Sequence, residues 1–152
     1  MIMALALALA AASPKVDMSD IQARLFYSDT CRLSDDILSR KKPFVFWNTI
    51  IAGGDAEENA NDLLVSVTLN VGKFGSPEDN EGNLVGVLSI KATDQKGKVL
   101  GSRTVKNLLT STRGSTTVGL WLNDVTCAGR VTIQARYADQ VKSAVLDMAR
   151  GE

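Results

Sequence analysis

Alternation of apolar and polar residues dominates the chain after residue 20. Ile21, Ala23, Leu25 and Tyr27 alternate with Gln22, Arg24 and Phe26, and Leu63, Val65, Val67, Leu69 and Val71 alternate with Leu64, Ser66, Thr68 and Asn70. Successive strand side chains point to opposite faces, so this period of two predicts half-buried strands. Leu84 to Thr93 continues the pattern with Leu84, Leu88, Ile90 and Ala92 on one side. Asp94-Gln95-Lys96-Gly97 then reads as a tight turn, with Gly97 at the left-handed position, leading to a partner strand over Val99 to Val105. Three further strands are expected at Thr116 to Leu122, Val131 to Tyr137 and, after a turn at Ala138-Asp139, Val141 to Met148.

Phe44 to Ile51 (FVFWNTII) is instead continuously apolar, as in a strand covered on both faces, and Trp47 within it is expected in the core. No segment carries a sustained helical stripe. Ser34 to Lys42 is the best candidate for a short helix. Asp35 and Asp36 open it, Arg40, Lys41 and Lys42 end it, and Pro43 follows, a polarity that suits the helix dipole. About eight strands in one small domain predict an all-β fold, a two-sheet antiparallel β-sandwich. An immunoglobulin-like or fibronectin-like topology comes first and a small barrel second. That likeness is architectural and does not give a function.

Ala4 to Ala12 is an unbroken Ala/Leu run ending in Ala10-Ala11-Ala12, which reads as an export signal with its cleavage site before Ser13. Residues 1–12 are therefore expected to be a signal peptide, and 13–152 a single β-sandwich domain in the periplasm or outside the cell. The apolar run is too short for the ~20 residues of a transmembrane anchor. In an oxidising compartment the only two cysteines, Cys31 and Cys127, are expected to form a disulfide. Cys127 shares the parity of Val131, Ile133 and Ala135, which turns it toward the core. To bring both cysteines to one end of the sandwich, Arg32 to Lys42 must make an additional pass across the domain.

The chain holds 17 basic and 17 acidic residues, a balance that argues against a nucleic-acid partner and gives no reason for attraction to anionic lipid. It contains no histidine, which excludes a Ser-His-Asp or Cys-His arrangement and histidine-based zinc sites. Gly72-Lys73-Phe74-Gly75-Ser76 lacks the spacing of a phosphate loop.

Ala52 to Asp62 is the most conspicuous polar connection. Asp55, Glu57, Glu58, Asn59, Asn61 and Asp62 supply hard oxygen atoms of the kind Ca²⁺ takes, without EF-hand spacing, and the alternative is a partner-contact loop. Strand counting places this loop at the same end as the Asp94 turn and Asp124. A second acidic loop, Gly75 to Asn83, falls at the other end. Trp121 has the parity opposite Val118 and Leu120, so it is a candidate exposed aromatic contact. The expected function is a non-enzymatic exported binding domain whose partner is a protein, with no cofactor unless Ca²⁺ binds. The alternatives are a carboxylate-based hydrolase acting on envelope glycans and a structural subunit of a surface assembly.

Overall fold

The computed structural model describes residues 14–40, 44–45, 54–72, 81–111 and 114–149. The expected signal segment, Trp47 and most of the 44–51 strand lie outside the described residues. Among the described residues seven long strands form the domain: β1 (Val16–Tyr27), β4 (Ala60–Val71), β5 (Glu81–Thr93), β6 (Val99–Ser111), β7 (Ser115–Leu122), β8 (Arg130–Tyr137) and β9 (Gln140–Ala149). Two-residue strands β2 (Arg32–Leu33) and β3 (Phe44–Val45) add one short edge to each sheet. The sheets run β2-β1-β4-β7 and β3-β9-β8-β5-β6. All pairs are antiparallel except β3 with β9.

This is the expected sandwich. Counting only the long strands, the first, second and fifth form one sheet, while the third, fourth, sixth and seventh form the other. A constant-type immunoglobulin domain differs only in placing its fourth strand in the first sheet. Inward-facing positions supply the core: Met18, Ala23, Leu25, Leu63, Val65, Val67 and Leu69 from one sheet, and Leu88, Ala92, Val131, Ile133 and Ala135 from the other, all at 0% exposure. Burying a side chain of the Leu or Val class contributes about 1.5–3 kcal/mol. The alternation is thus the main stabilising pattern of the fold.

Bulges explain where strands outrun their visible alternation. Ser19 and Asp20 stand opposite the single residue Thr68, between the Met18–Leu69 and Ile21–Val67 pairs. The extra residue shifts the phase, so Met18 and Ile21 both face inward. In the same way Val85 and Gly86 oppose Asn107, which takes a left-handed φ of 54°. Inward facing then passes from Val105 to Leu108, and β6 runs on to Ser111. The Asp94 turn forms as expected, with Gly97 at φ 81° and the Asp94 carboxylate accepting from the Lys96 and Lys98 amides.

The segment after β1 departs from expectation. Over 34–40, the described part of the expected 34–42 helix, there is instead one 3₁₀ turn, Ile37–Ser39, capped by Asp36 accepting from Leu38 N. The Asp36 carboxylate also accepts from Ala23 N on β1, and that anchorage along an edge strand competes with a longer helix. The segment does turn back along β1, reaching the level of Ala23. Phe44 and Val45 then lie in the opposite sheet, beside Met148 and Ala149.

Cys31 and Cys127 are not bonded to each other. Both lie at the end of the sandwich where β1 and β7 finish, although the described part of the 32–42 segment reaches only the level of Ala23 and not across the domain, and the sheet order keeps the two cysteines apart. Cys31 follows β1, Cys127 follows β7, and β4 runs between those two strands. Two strand spacings of ~4.8 Å exceed the ~7 Å limit on Cα separation for a disulfide. Cys31 sits in a tight turn at φ 54° with its thiol toward Ser28 O, and Cys127 is the exposed last residue of a 3₁₀ turn, Val125–Cys127. The expected inward parity of Cys127 fails because Gly129, at φ 67°, breaks the register before β8. Val125 and Ala128 are the residues that turn into the core there.

Candidate functional site

Trp121 points outward from β7, as its parity requires, and is 41% exposed. The outer face of its sheet gathers other apolar side chains at the same end. Trp121 pairs across β4 with Leu64, Phe26 on β1 pairs with Asp62, and Phe26 pairs on its other side with Leu33 of β2, which is 43% exposed. The Phe26 and Trp121 rings meet edge to face with centroids 5.0 Å apart. Gly119 keeps the floor open, since a Cβ there would stand 3.0 Å from Leu64 Cδ1. The result is a patch of Leu33, Phe26, Leu64 and Trp121 spread over four strands.

Asp62 fixes the edge of this patch. One carboxylate oxygen accepts the indole Nε1–H of Trp121 at 3.0 Å, and the other accepts Asp124 N, also at 3.0 Å. Asp124 is left-handed at φ 48°, so this bond also holds the turn that follows β7. Strand counting had placed Asp62 and Asp124 at one end, and the structure brings them into contact.

The remaining acidic-loop residues disperse rather than converge. Glu57 and Glu58 both reach Arg32, at 3.4 and 2.7 Å, and Glu58 also accepts from the Thr30 hydroxyl at 2.6 Å. The Thr30 bond first, then that of Arg32, holds the Glu58 carboxyl below its usual range. The Arg32 guanidinium is held above its own, chiefly by its bond to Glu58, and lies 5.8 Å from the centre of the Tyr27 ring. Asp55 accepts from Val45 N and pairs with Arg40, while Asn59 donates to Asp29. Asn61 is exposed on β4. Among the described residues no three acidic or cysteine side chains come together in a metal-binding group. The loop contains no cation of its own, and the sequence reading missed that Arg32 and Arg40 of the preceding segment supply two. No family model matches the chain, and no curated protein matches it.

A separate open cleft of about 610 Å³ lies on the other sheet, lined by Asp94, Gln95, Gly129, Arg130, Thr132, Asp147 and Met148. Arg130 and Asp147 pair across its floor at 2.6 and 3.4 Å. That pairing holds the guanidinium above its usual range and occupies both oxygens of the carboxylate. Asp94 is committed to the amides of its own turn. Sequence spacing gave no sign of this cleft, because its walls come from three strand ends far apart in the chain.

Proposed function

We propose that this chain is an exported, non-enzymatic binding domain that docks a protein partner on the Trp121 face. What carries this reading is the exposed apolar patch itself, in which Leu33 and Trp121 stand 43% and 41% exposed beside Phe26 and Leu64. Grouped apolar side chains of this kind on a soluble domain mark interaction surfaces, and tryptophan is enriched among the residues that dominate binding energy. Orientation by Asp62 and Phe26 lowers the entropy cost of presenting the indole. The rim is polar and charged, with Asp62, Arg24 and Glu58 around it, which resembles the division of an interface into apolar centre and polar edge.

Export rests on the Ala/Leu run ahead of Ser13, and the separated thiols lend it no support. The chain contains no histidine, and Asp94 and Asp147 are already engaged at the cleft, so the cleft adds no support for a hydrolase. Immobilised protein should recover a stoichiometric partner from cell-envelope extract. Trp121→Ser and Leu33→Ser should each lose that partner while melting within a few degrees of the parent. Equal recovery by both variants, or no partner together with turnover of an envelope glycan, overturns the proposal. N-terminal sequencing of envelope protein should begin near Ser13; a retained Met1 removes the export part.

A further inference from the structure

The charge that cancels over the whole chain does not cancel over each face. On the outer side of the β9-β8-β5-β6 sheet stand Arg136 from β8, Lys91 from β5 and Lys106 from β6, all exposed. None of the three makes an ion pair among the described residues. Arg130 shares this face but is neutralised by Asp147, the only acidic side chain on the outward positions of β8 and β9.

Between the cations lies a row of hydrogen-bonding groups. Arg136 pairs with Ser89 and Ser89 with Thr104, while Gln134 pairs with Lys91 and Lys91 with Ser102. Strand spacing of ~4.8 Å and a rise of ~3.4 Å per residue set Lys91 ~8 Å from Arg136 and ~14 Å from Lys106. The three charges thus border a surface of hydroxyls and an amide, with Val87 beside Lys106, instead of meeting at one point.

We propose that this face is a second binding surface, distinct from the Trp121 patch, and that its ligand is an acidic polysaccharide. Charge complementarity selects a polyanion, because three cations on one face, without an ion pair among the described residues, attract a linear array of negative charge and release its counterions. The spread of the cations favours an extended chain over a single phosphate. Ser89, Ser102, Thr104 and Gln134 offer partners for sugar hydroxyls. The outward positions of β5, β6, β8 and β9 hold no aromatic side chain, which removes the stacking that single-stranded nucleic acid uses. A face four long strands wide also enters no duplex groove. Val87, opposite Lys106, and Val141 and Val145 on β9 are exposed on this face, but without the bulky aromatic residues that anchor proteins at lipid interfaces.

The test is retention of the full chain on immobilised polygalacturonate, a linear polyuronate, against neutral dextran. The parent should be retained at low salt and elute with rising salt, and should pass through dextran. Lys91→Ser/Lys106→Ser/Arg136→Ser should lose at least about tenfold in affinity, whereas Lys96→Ser/Lys98→Ser, on the turn, should retain it. Circular dichroism and melting confirm that the variants fold. If the triple variant does not, Lys106→Glu alone should lower the eluting salt concentration. Retention unchanged in the folded variants overturns the proposal. So does equal binding to duplex DNA or to vesicles containing anionic phospholipid, which would mark a general polyanion or membrane surface.

Discussion

Asp62 and Trp121 are joined by a 3.0 Å hydrogen bond from the indole to the carboxylate, between residues 59 positions apart on neighbouring strands. The same carboxylate holds the amide of Asp124, so one side chain couples the orientation of the exposed ring to the turn behind it. Asp62→Ala should cost about 1–2 kcal/mol through loss of charge-assisted bonds. In a chain of this size that corresponds to a fall in melting temperature of roughly 2–4 °C per kcal/mol. Asp62→Asn, which keeps one acceptor, should recover part of it. Loss of partner capture in Asp62→Ala, at temperatures where it remains folded, would show that orientation of the ring matters to binding.

Gly101 on β6 lies against Leu122 of β7, where the two sheets approach. A Cβ at Gly101 would stand 2.6 Å from Leu122 Cδ2, and Leu122 is almost fully buried. Gly101→Ala should therefore destabilise the domain by about 1–3 kcal/mol through overpacking. Because the strain is shared, Gly101→Ala/Leu122→Val should be more stable than the sum of the single effects implies. Urea unfolding of the four proteins in this cycle measures that coupling.

Glu58 supplies a pH-dependent contribution. Its folded-state value is depressed by the Thr30 and Arg32 bonds, so the stabilisation is present above the ordinary glutamate value near 4.5 and fades as pH falls through the folded value. Melting scans between pH 6 and pH 3 should show a smaller acid loss for Glu58→Gln than for the parent. NMR titration of the Glu58 side chain should give a midpoint below that of an exposed glutamate.

The two thiols give a direct check on the sheet order. Alkylation of native protein without reductant should label both Cys31 and Cys127, and reduction should leave the monomer mass unchanged. A mass two hydrogens lighter before reduction would require β1 and β7 to be neighbours.

The sandwich was legible because its signal is local: Leu63 to Val71 alternates without interruption, and Gly97 can occupy a position that other residues resist. Phase shifts were not legible. Nothing in the sequence marks Ser19-Asp20 or Val85-Gly86 as bulges until the facing Thr68 and Asn107 are known. The outward parity of Trp121 was readable from β7 alone, but its company was not. Phe26 and Leu64 carried the right parity on their own strands, while their meeting with Leu33 and Trp121 depends on which strands are neighbours. The cysteine expectation failed at the same level, since the end of the sandwich was right and the strand between the two residues was unseen. The acidic loop looked uncompensated because Arg32 and Arg40 come from an earlier segment.

The outer edge of β1 is occupied along much of its length by side chains rather than by a strand. Leu25 N donates to Ser34 Oγ, Ala23 N to Asp36 Oδ1 and Met18 N to Gln140 Oε1, while Gln140 Nε2 donates to Val16 O. An incoming chain seeking to extend this sheet would have to displace three tethered competitors, each at a local concentration far above that of any free strand. Recruitment into a fibre at this border is therefore slow even in a crowded compartment, and the domain can keep a long β1, already twisted by its bulge at Ser19-Asp20, without the hazard of templating its own copies.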